Sequence, residues 1–527
     1  MLRTRTCLGG MVTAPHHLAA EAGASVLREG GNAIEAMIAA AAAVAVVYPH
    51  MNGIGGDGFW IISRPGHDPI AVRACGQAAS LATKELYTEN GEAAIPARGP
   101  RAALTVAGAI SGWAEAQAIA AEAGGRIPLA RLLEDAIRHA KDGVPVTSSQ
   151  SDLTRLKWDE LKDVAGFAET FAPDGPPPVN AILKQPQLAA VLENLVAAGL
   201  DDFYRGDVAR TLAAGLTAVG SPIRLEDLEA YRAIRQAPAM VRLANGRVYN
   251  MPPPTQGTAH LMILGIFERL GVKAADGFDY IHGLVESTKR AFILRNAHLG
   301  DPDRMGPIWQ DWLEHETLDR EAAEIDKARA AAWPHVARKG DTIWMGAADA
   351  AGNVVSYIQS IYWEFGSGIV VPETGVIWQN RGAGFSLQEG PNELGPGRLP
   401  FHTLNPSLAI LDDGRKIAYG TMGGEGQPQT QAVIFTRHVL FGQDMQTAIT
   451  APRWLLGRTW GAESTNLKVE SRFDPAVIDA LRAAGHDVEV VEEFDQMMGH
   501  AGMVSIASDG VISGATDPRS DGSCGSL

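Results

Sequence analysis

Thr342 is the residue whose type and position could do chemistry unaided. It lies in Gly340-Asp341-Thr342-Ile343-Trp344-Met345-Gly346, between a polar, alanine-rich connector (Lys327 to Arg338) and an apolar run. The connector, broken by Pro334, reads as mobile, and the apolar run reads as the start of a strand. Scission of the Asp341–Thr342 bond would put a hydroxyl nucleophile and a free α-amine on one residue, a complete nucleophile and base. An α-amine titrates near pH ~8, so it can take the hydroxyl proton at neutral pH. Uncut, Thr342 is an ordinary β-branched residue opening a strand.

The elements around it follow from periodicity and turn chemistry. The runs Ile343 to Gly346 and Val354 to Tyr362 flank Asp349-Ala350-Ala351-Gly352-Asn353, which predicts a hairpin. Gly9 to Ala14 reads as a strand, followed by a helix from His17 to Glu29 that stops at Gly30-Gly31. Asn32 and Glu35 form a capping box for a helix over Ala33 to Val47, apolar almost all round and so expected to be buried. Gly53-Ile54-Gly55-Gly56-Asp57-Gly58 has the letters of a dinucleotide fingerprint in the wrong order, with a helix before and a strand after. Its glycines are better read as tight turns. Further helices are expected over Leu129 to Ala140, Gln187 to Ala198, His260 to Leu270 and Asp279 to His298, the last with a Glu286–Arg290 pair at i,i+4. One or two strands are expected in Met240 to Met251. Beyond Thr342, short strands alternate with glycine turns, and helices are expected over Gln427 to Leu440 and Pro475 to Ala484. The pattern is helices on both faces of largely antiparallel sheets, an α/β (α+β) layered fold.

Composition narrows the partners. The chain has 527 residues, 46% apolar and 20% charged, with a net charge of −16 and a pI near 5.4. Nucleic acid and anionic membrane both call for a basic surface, so neither is expected. Cys7, Cys75 and Cys524 show no metal or disulfide spacing. The longest apolar run, Ala36 to Val47, is shorter than the roughly 20 residues of a bilayer span. The N-terminal residues lack an apolar signal segment, so the cytoplasm is the expected compartment.

A set of short motifs spans nearly the whole chain: Gly10-Met11-Val12 with His17-Leu18-Ala19, Gly30-Gly31-Asn32-Ala33, Gly53-Ile54-Gly55-Gly56, Met251-Pro252-Pro253-Pro254, Leu299-Gly300-Asp301-Pro302, Asp349 with Gly352-Asn353, Phe365-Gly366 with Gly368, Gly423-Gly424, and Asp517-Pro518-Arg519-Ser520. In this order they resemble the γ-glutamyltranspeptidase family of N-terminal-nucleophile hydrolases. The resemblance implies a four-layer αββα sandwich and a precursor that cuts itself between Asp341 and Thr342. The products would be chains 1–341 and 342–527, one intertwined unit held as a heterodimer, which could pair into a heterotetramer. It also implies Thr342 as nucleophile, Ser360 as its supporting hydroxyl, and the amides of Gly423 and Gly424 as oxyanion donors. No metal or organic cofactor is implied.

The departures from the family pattern bear on the substrate. Positions that hold the glutamyl ammonium in the family carry Tyr362, Arg381 and Gly384 here, so the acid is gone and a cation has arrived. A cation beside a substrate ammonium would repel it. The family's carboxylate-binding arginine falls on Lys84, with Arg98 and Arg101 as alternatives, and its serine pair becomes His402-Thr403. Arg381 could grip a carboxylate with a bidentate fork. Its ordinary reading is a structural ion pair, and that of His402 a core histidine. With Trp344, Tyr362, Trp363, Trp378 and Phe401 as expected walls, the pocket suits a small acid whose amide lies close to its carboxylate. Within the family this pattern is similar to the oxamate amidohydrolases, which make oxalate and ammonia in allantoin (urate) degradation. The alternatives are γ-glutamyl transfer or glutathione hydrolysis, a glutaryl-type acylase, and an uncleaved binding protein on the same fold.

Overall fold

Two seven-stranded antiparallel sheets face each other across a layer of apolar side chains. The computed structural model describes residues 2–89, 91–335, 340, 342–457 and 464–527; Asp341 lies outside the described residues. In chain order the sheet strands are β1 (Arg5–Cys7), β2 (Gly10–Ala14), β3 (Asp57–Ser63), β4 (Ile70–Ala74), β5 (Ile234–Gln236), β6 (Ala239–Leu243), β7 (Gly246–Asn250), β8 (Ile343–Asp349), β9 (Val354–Ser360), β10 (Ser407–Leu411), β11 (Lys416–Thr421), β12 (Ala501–Ile506), β13 (Ile512–Thr516) and β14 (Ser523–Ser526). The first sheet runs β14-β2-β8-β9-β3-β4-β5 and the second β1-β13-β12-β11-β10-β7-β6. Helices α1 (His17–Arg28), α2 (Ala33–Val47) and α3 (Ala109–Glu122) cover the outer face of the first sheet. Helices α4 (Gly257–Leu270) and α6 (Gln427–Phe435) cover the second, with α5 (Phe278–His298) packed outside them and α7 (Pro475–Ala483) against α5. This is the expected αββα sandwich.

The expected hairpin is β8 and β9, with Ile343 paired to Gln359 and Ala348 to Val354. Both its faces are buried, which is why its strands read as continuous apolar runs. Ile343, Met345 and Ala347 pack toward the helices, whereas Trp344 and Ala348 pack toward the second sheet. Its turn is tied to α2: Asp349 Oδ2 accepts from the Ala33 amide (2.8 Å) and Oδ1 from the Asn353 amide (3.0 Å). The Asn32–Glu35 capping box is present, and all fifteen residues of α2 are buried.

Three expectations change. The connector is fastened within its described part, residues 327–335. Ala330 N donates to Ala484 O (2.8 Å), Lys289 Nζ to Ala331 O (2.6 Å) and the Ala331 amide to Glu286 Oε2 (3.1 Å). Glu286 pairs with Lys289 (2.7 Å) rather than Arg290, because the buried ammonium needs the nearer carboxylate, and Arg290 turns to Glu321. The helix begun at Gln427 finishes in a π-helical turn over Thr436–Leu440. Among the described residues no helix is long and apolar enough to cross a membrane.

Trp344 sits between the sheets on a bed of glycines. A Cβ on Gly420 would come 2.1 Å from the indole, one on Gly502 2.4 Å and one on Gly346 2.6 Å. Its Nε1 donates to Ser356 Oγ (2.9 Å). Gly420→Ala or Gly502→Ala should therefore lower stability by about 1–3 kcal/mol through overpacking. Urea unfolding measures it, and an unchanged midpoint would show that the indole can move aside.

Candidate active site

Thr342 is fully buried at the mouth of β8, and its hydroxyl donates to Gln359 O (3.4 Å). Continuing the hairpin register puts Ser360 across from it. Two residues earlier, Gly340 is buried against the turn that follows β11. A Cβ on Gly340 would stand 3.0 Å from Gly424 Cα, 3.3 Å from the Tyr362 ring and 3.6 Å from Thr403 Oγ1. A Cβ on Gly424 would in turn strike Gly340 O at 2.8 Å. Gly423 and Gly424 have φ of +123° and +51°, which glycine adopts without strain. Gly340 thus lies on the Gly423-Gly424 turn, between Tyr362 and Thr403.

Tyr362 has φ +82°, a costly conformation for a bulky residue and one that clusters at functional sites. Its amide donates to Ser360 Oγ (2.8 Å). Its ring lies under the Arg381 guanidinium, 3.4 Å from carbon to centroid, a cation–π contact. Arg381 is fully buried and donates to Thr403 Oγ1 (3.0 Å) and Phe401 O (3.3 Å). A Cβ on Gly384 would lie 3.8 Å from Arg381 Nη1 and 4.0 Å from the Tyr362 hydroxyl. The three positions where the family pattern is broken are therefore neighbours in space.

His402 and Lys84 are used elsewhere. His402 Nε2 is 3.0 Å from Asp57 Oδ2, and its Nδ1 accepts from the Leu404 amide (3.4 Å). Burial, helped by the Arg381 charge, holds its pKa well below the usual imidazole value. The network assigns a neutral ring that donates from Nε2, packed edge-on to Phe59. His402 is a core histidine, not a free substrate contact. Lys84 pairs with Glu393, which Arg304 and Arg398 share at 3.1 Å and 3.0 Å. That partly exposed cluster, reached from the loop carrying Glu393, takes up the lysine. Arg98 grips Glu364 O (2.7 Å) and Arg101 pairs with Glu92. Of the expected cations, Arg381 is the one placed with Tyr362 and Thr403. Two expected walls also move into the core. Trp344 lies between the sheets, and Trp378 is buried on the helix side with Nε1 on Thr105 O (3.1 Å).

Sequence reasoning passed over Asp57 and Gln256. Asp57 Oδ1 accepts from the amides of Gly76 (3.2 Å) and Gly108 (3.1 Å) and from Gln379 Nε2 (3.1 Å). Gln256 Nε2 donates to both Thr403 O (2.9 Å) and Gly424 O (2.7 Å). Asp57 stands inside the glycine stretch Gly53 to Gly58 and Gln256 two residues after Pro252-Pro253-Pro254, and a polar side chain at such a turn was the available signal. One described group has metal-ligand composition: His282 and Glu286 of α5 with His486. Its members already satisfy one another and the connector, with His282 bonded to His486 (2.9 Å) and to Asp326 O (2.8 Å).

The family model described as γ-glutamyltranspeptidase matches residues 19–526. The chain belongs to the γ-glutamyltranspeptidase family. It is 54% identical to the oxamate amidohydrolase proenzyme of Klebsiella pneumoniae, with 97% of each chain covered. It is 39% identical to the glutathione hydrolase-like YwrD proenzyme of Bacillus subtilis, again over 97% of each. The solved cephalosporin acylase of Bacillus halodurans superposes with a TM-score of 0.91 at 32% identity, covering 100% of this chain and 97% of that one. The family member described here is an amidohydrolase, and its sandwich is that of the N-terminal-nucleophile hydrolases.

Burial pushes the Asp57 carboxyl up to about 7, against the pull of Gln379, the Arg381 charge and two amides. An unfolded Asp titrates near ~3.9. Between these values the folded state holds a proton that the unfolded state has lost, so the Asp57 contribution is full below about pH 4 and is lost as pH rises to about 7. Asp57→Asn should remove that slope. The stability difference between wild type and variant should shrink from pH 5 to pH 8; a constant difference in urea would contradict the raised carboxyl.

Proposed function

We propose that this chain cuts itself before Thr342 and then hydrolyses oxamate to oxalate and ammonia. The observation that carries the reading is Arg381: a buried guanidinium seated on Tyr362 and Thr403, beside the turn on which Gly340 lies. A substrate whose carboxylate meets Arg381 and whose amide reaches Thr342 must be short. A γ-glutamyl group would bring an ammonium to the same place, where Tyr362, Arg381 and Gly384 offer no acid. The name of the Klebsiella relative points the same way.

In this reading the Thr342 hydroxyl attacks the amide carbonyl and its own α-amine takes the proton. The amides of Gly423 and Gly424 hold the developing oxyanion. Ammonia leaves with the proton, and an oxalyl ester forms on Thr342. Water, activated by the same amine, then hydrolyses the ester. Ser360, across the hairpin, orients the nucleophile. Cleavage uses the same hydroxyl on the Asp341 carbonyl: an N→O acyl shift breaks the Asp341–Thr342 amide, frees the α-amine and leaves Asp341 as an ester on the Thr342 oxygen, which water then hydrolyses. The resulting chains, 1–341 and 342–527, would stay together as a heterodimer, because β8 and β9 of the second lie between β2 and β3 of the first. The likeness to a cephalosporin acylase favours a glutaryl-type acylase as the second reading.

The deciding assay is ammonia release from oxamate, beside γ-glutamyl-p-nitroanilide and a glutaryl cephalosporin, with the same sample on a denaturing gel. Two fragments and turnover of oxamate alone are expected; turnover of either larger compound instead would overturn the substrate. Thr342→Ala should give one 55.9 kDa chain without activity, and an uncut but active variant would remove the nucleophile. Arg381→Ala should raise KM for oxamate by about 30-fold or more, the equivalent of losing ~2 kcal/mol of buried charge pairing. Cleavage should be unaffected, and equal loss of both would make Arg381 structural.

A further inference from the structure

We infer that Gln256 is a positioning residue that couples the carboxylate grip at Arg381 to the oxyanion turn at Gly424, a role that rests on the function proposed above. Gln256 is fully buried at the start of α4, with its amide on His402 O (3.0 Å). Its Nε2 carries two hydrogens, one for Thr403 O (2.9 Å) and one for Gly424 O (2.7 Å). Its Oε1 accepts from Arg295 Nη1 (2.8 Å). Arg295 Nη2 in turn reaches Glu425 Oε2 (2.9 Å), the residue after Gly424 in the same turn. The contacts close a ring: Gln256 to Gly424, along the chain to Glu425, across to Arg295 and back to Gln256.

The ring has a mechanical meaning. Gly423 and Gly424 have no side chains to hold their peptide planes, and both sit at positive φ. An oxyanion donor works only if its N–H points at the place where charge develops. Gln256 fixes the Gly424–Glu425 peptide through Gly424 O, the Arg295–Glu425 pair fixes the next residue, and the Gly426 amide on Gly423 O (2.7 Å) holds the preceding plane, which carries the Gly424 N–H. Arg295 is itself held rigid, stacked on the Phe292 ring at 3.6 Å and bonded to Asn296 Oδ1 (2.8 Å). The other hydrogen of the same amide holds Thr403, whose hydroxyl accepts from Arg381. One side-chain amide therefore sets the distance between the group that reads the substrate carboxylate and the turn that stabilises its transition state. The carboxylate then contributes to rate as well as to binding, which favours amides bearing a neighbouring carboxylate over neutral ones.

The test is a double-mutant cycle on the processed enzyme with oxamate. Gln256→Glu keeps the shape and the acceptor for Arg295 but replaces the shared donor with an oxygen facing two carbonyls. It should lower kcat about 100-fold, the usual cost of small misplacement, with KM changed less than about threefold. Adding Arg381→Ala to Gln256→Glu should lower kcat no further, although Arg381→Ala alone lowers it. Losses that multiply, or a fall shared equally by kcat and KM together with the melting temperature, would make Gln256 merely structural and overturn the coupling. Should Gln256→Glu fail to fold or to cut itself, Glu425→Gln opens the ring on its far side and the same cycle is read there. Wild-type turnover of oxamate is the control. Its absence overturns the substrate reading and the coupling with it, whereas its presence with multiplying losses overturns the coupling alone.

Discussion

A guanidinium with no exposure to solvent is the constraint around which this end of the sandwich is built. Taking a charge out of water costs several kcal/mol unless other groups answer it. Arg381 is answered by a ring face, a hydroxyl and a main-chain carbonyl, from Tyr362, Thr403 and Phe401. Those partners must be held in turn. Tyr362 sits in a strained backbone conformation, tied back to Ser360. Thr403 is tied to Gln256. Asp57 also feels the Arg381 charge, while the neutral His402 bonded to it keeps a second cation away.

The sheet order makes the proposed cut safe for the fold. The strand that begins just after Thr342 is an inner one, paired to β2 on one side and to β9 on the other. The proposed cut falls before the first ladder pair of that hairpin, Ile343 with Gln359. The Trp344 indole, two residues on, is clamped between sheets by glycines of β11 and β12. The hairpin turn is anchored to α2 through Asp349. The proposed nucleophile therefore stands at the mouth of a strand anchored on both sides, whatever happens to the segment before it.

Local features were legible in the sequence because their physics is local. The capping box of α2, the β8–β9 hairpin and the glycine turn after β11 are each set by residues within a few positions of one another. The siting of Thr342 at a strand mouth followed from the same rule. What could not be read was set by distant partners. His402 could be read as a substrate group or a core histidine, and the partner that bears on the choice, Asp57, lies 345 residues away in the chain. Trp344 and Trp378 have the size of pocket walls, and only the packing of sheets and helices shows them to be core. Gln256 lies 168 residues from the Gly424 carbonyl it fixes. The carboxylate that pairs with Lys84, Glu393, likewise belongs to a distant loop.

The packing of Gly340 on Gly424 has one more consequence. In the uncut chain Gly340, tethered two residues before the proposed nucleophile, stands against Gly424, Tyr362 and Thr403, where the proposed substrate would enter. A tethered occupant competes at an effective concentration that a free small acid at cellular levels does not approach. Once the proposed scission severs the tether, that advantage vanishes and the segment becomes a dilute end of another chain. Maturation would thus exchange a permanent intramolecular competitor for an open vestibule, and the exchange is one-way, because the entropy gained by the freed end opposes its return.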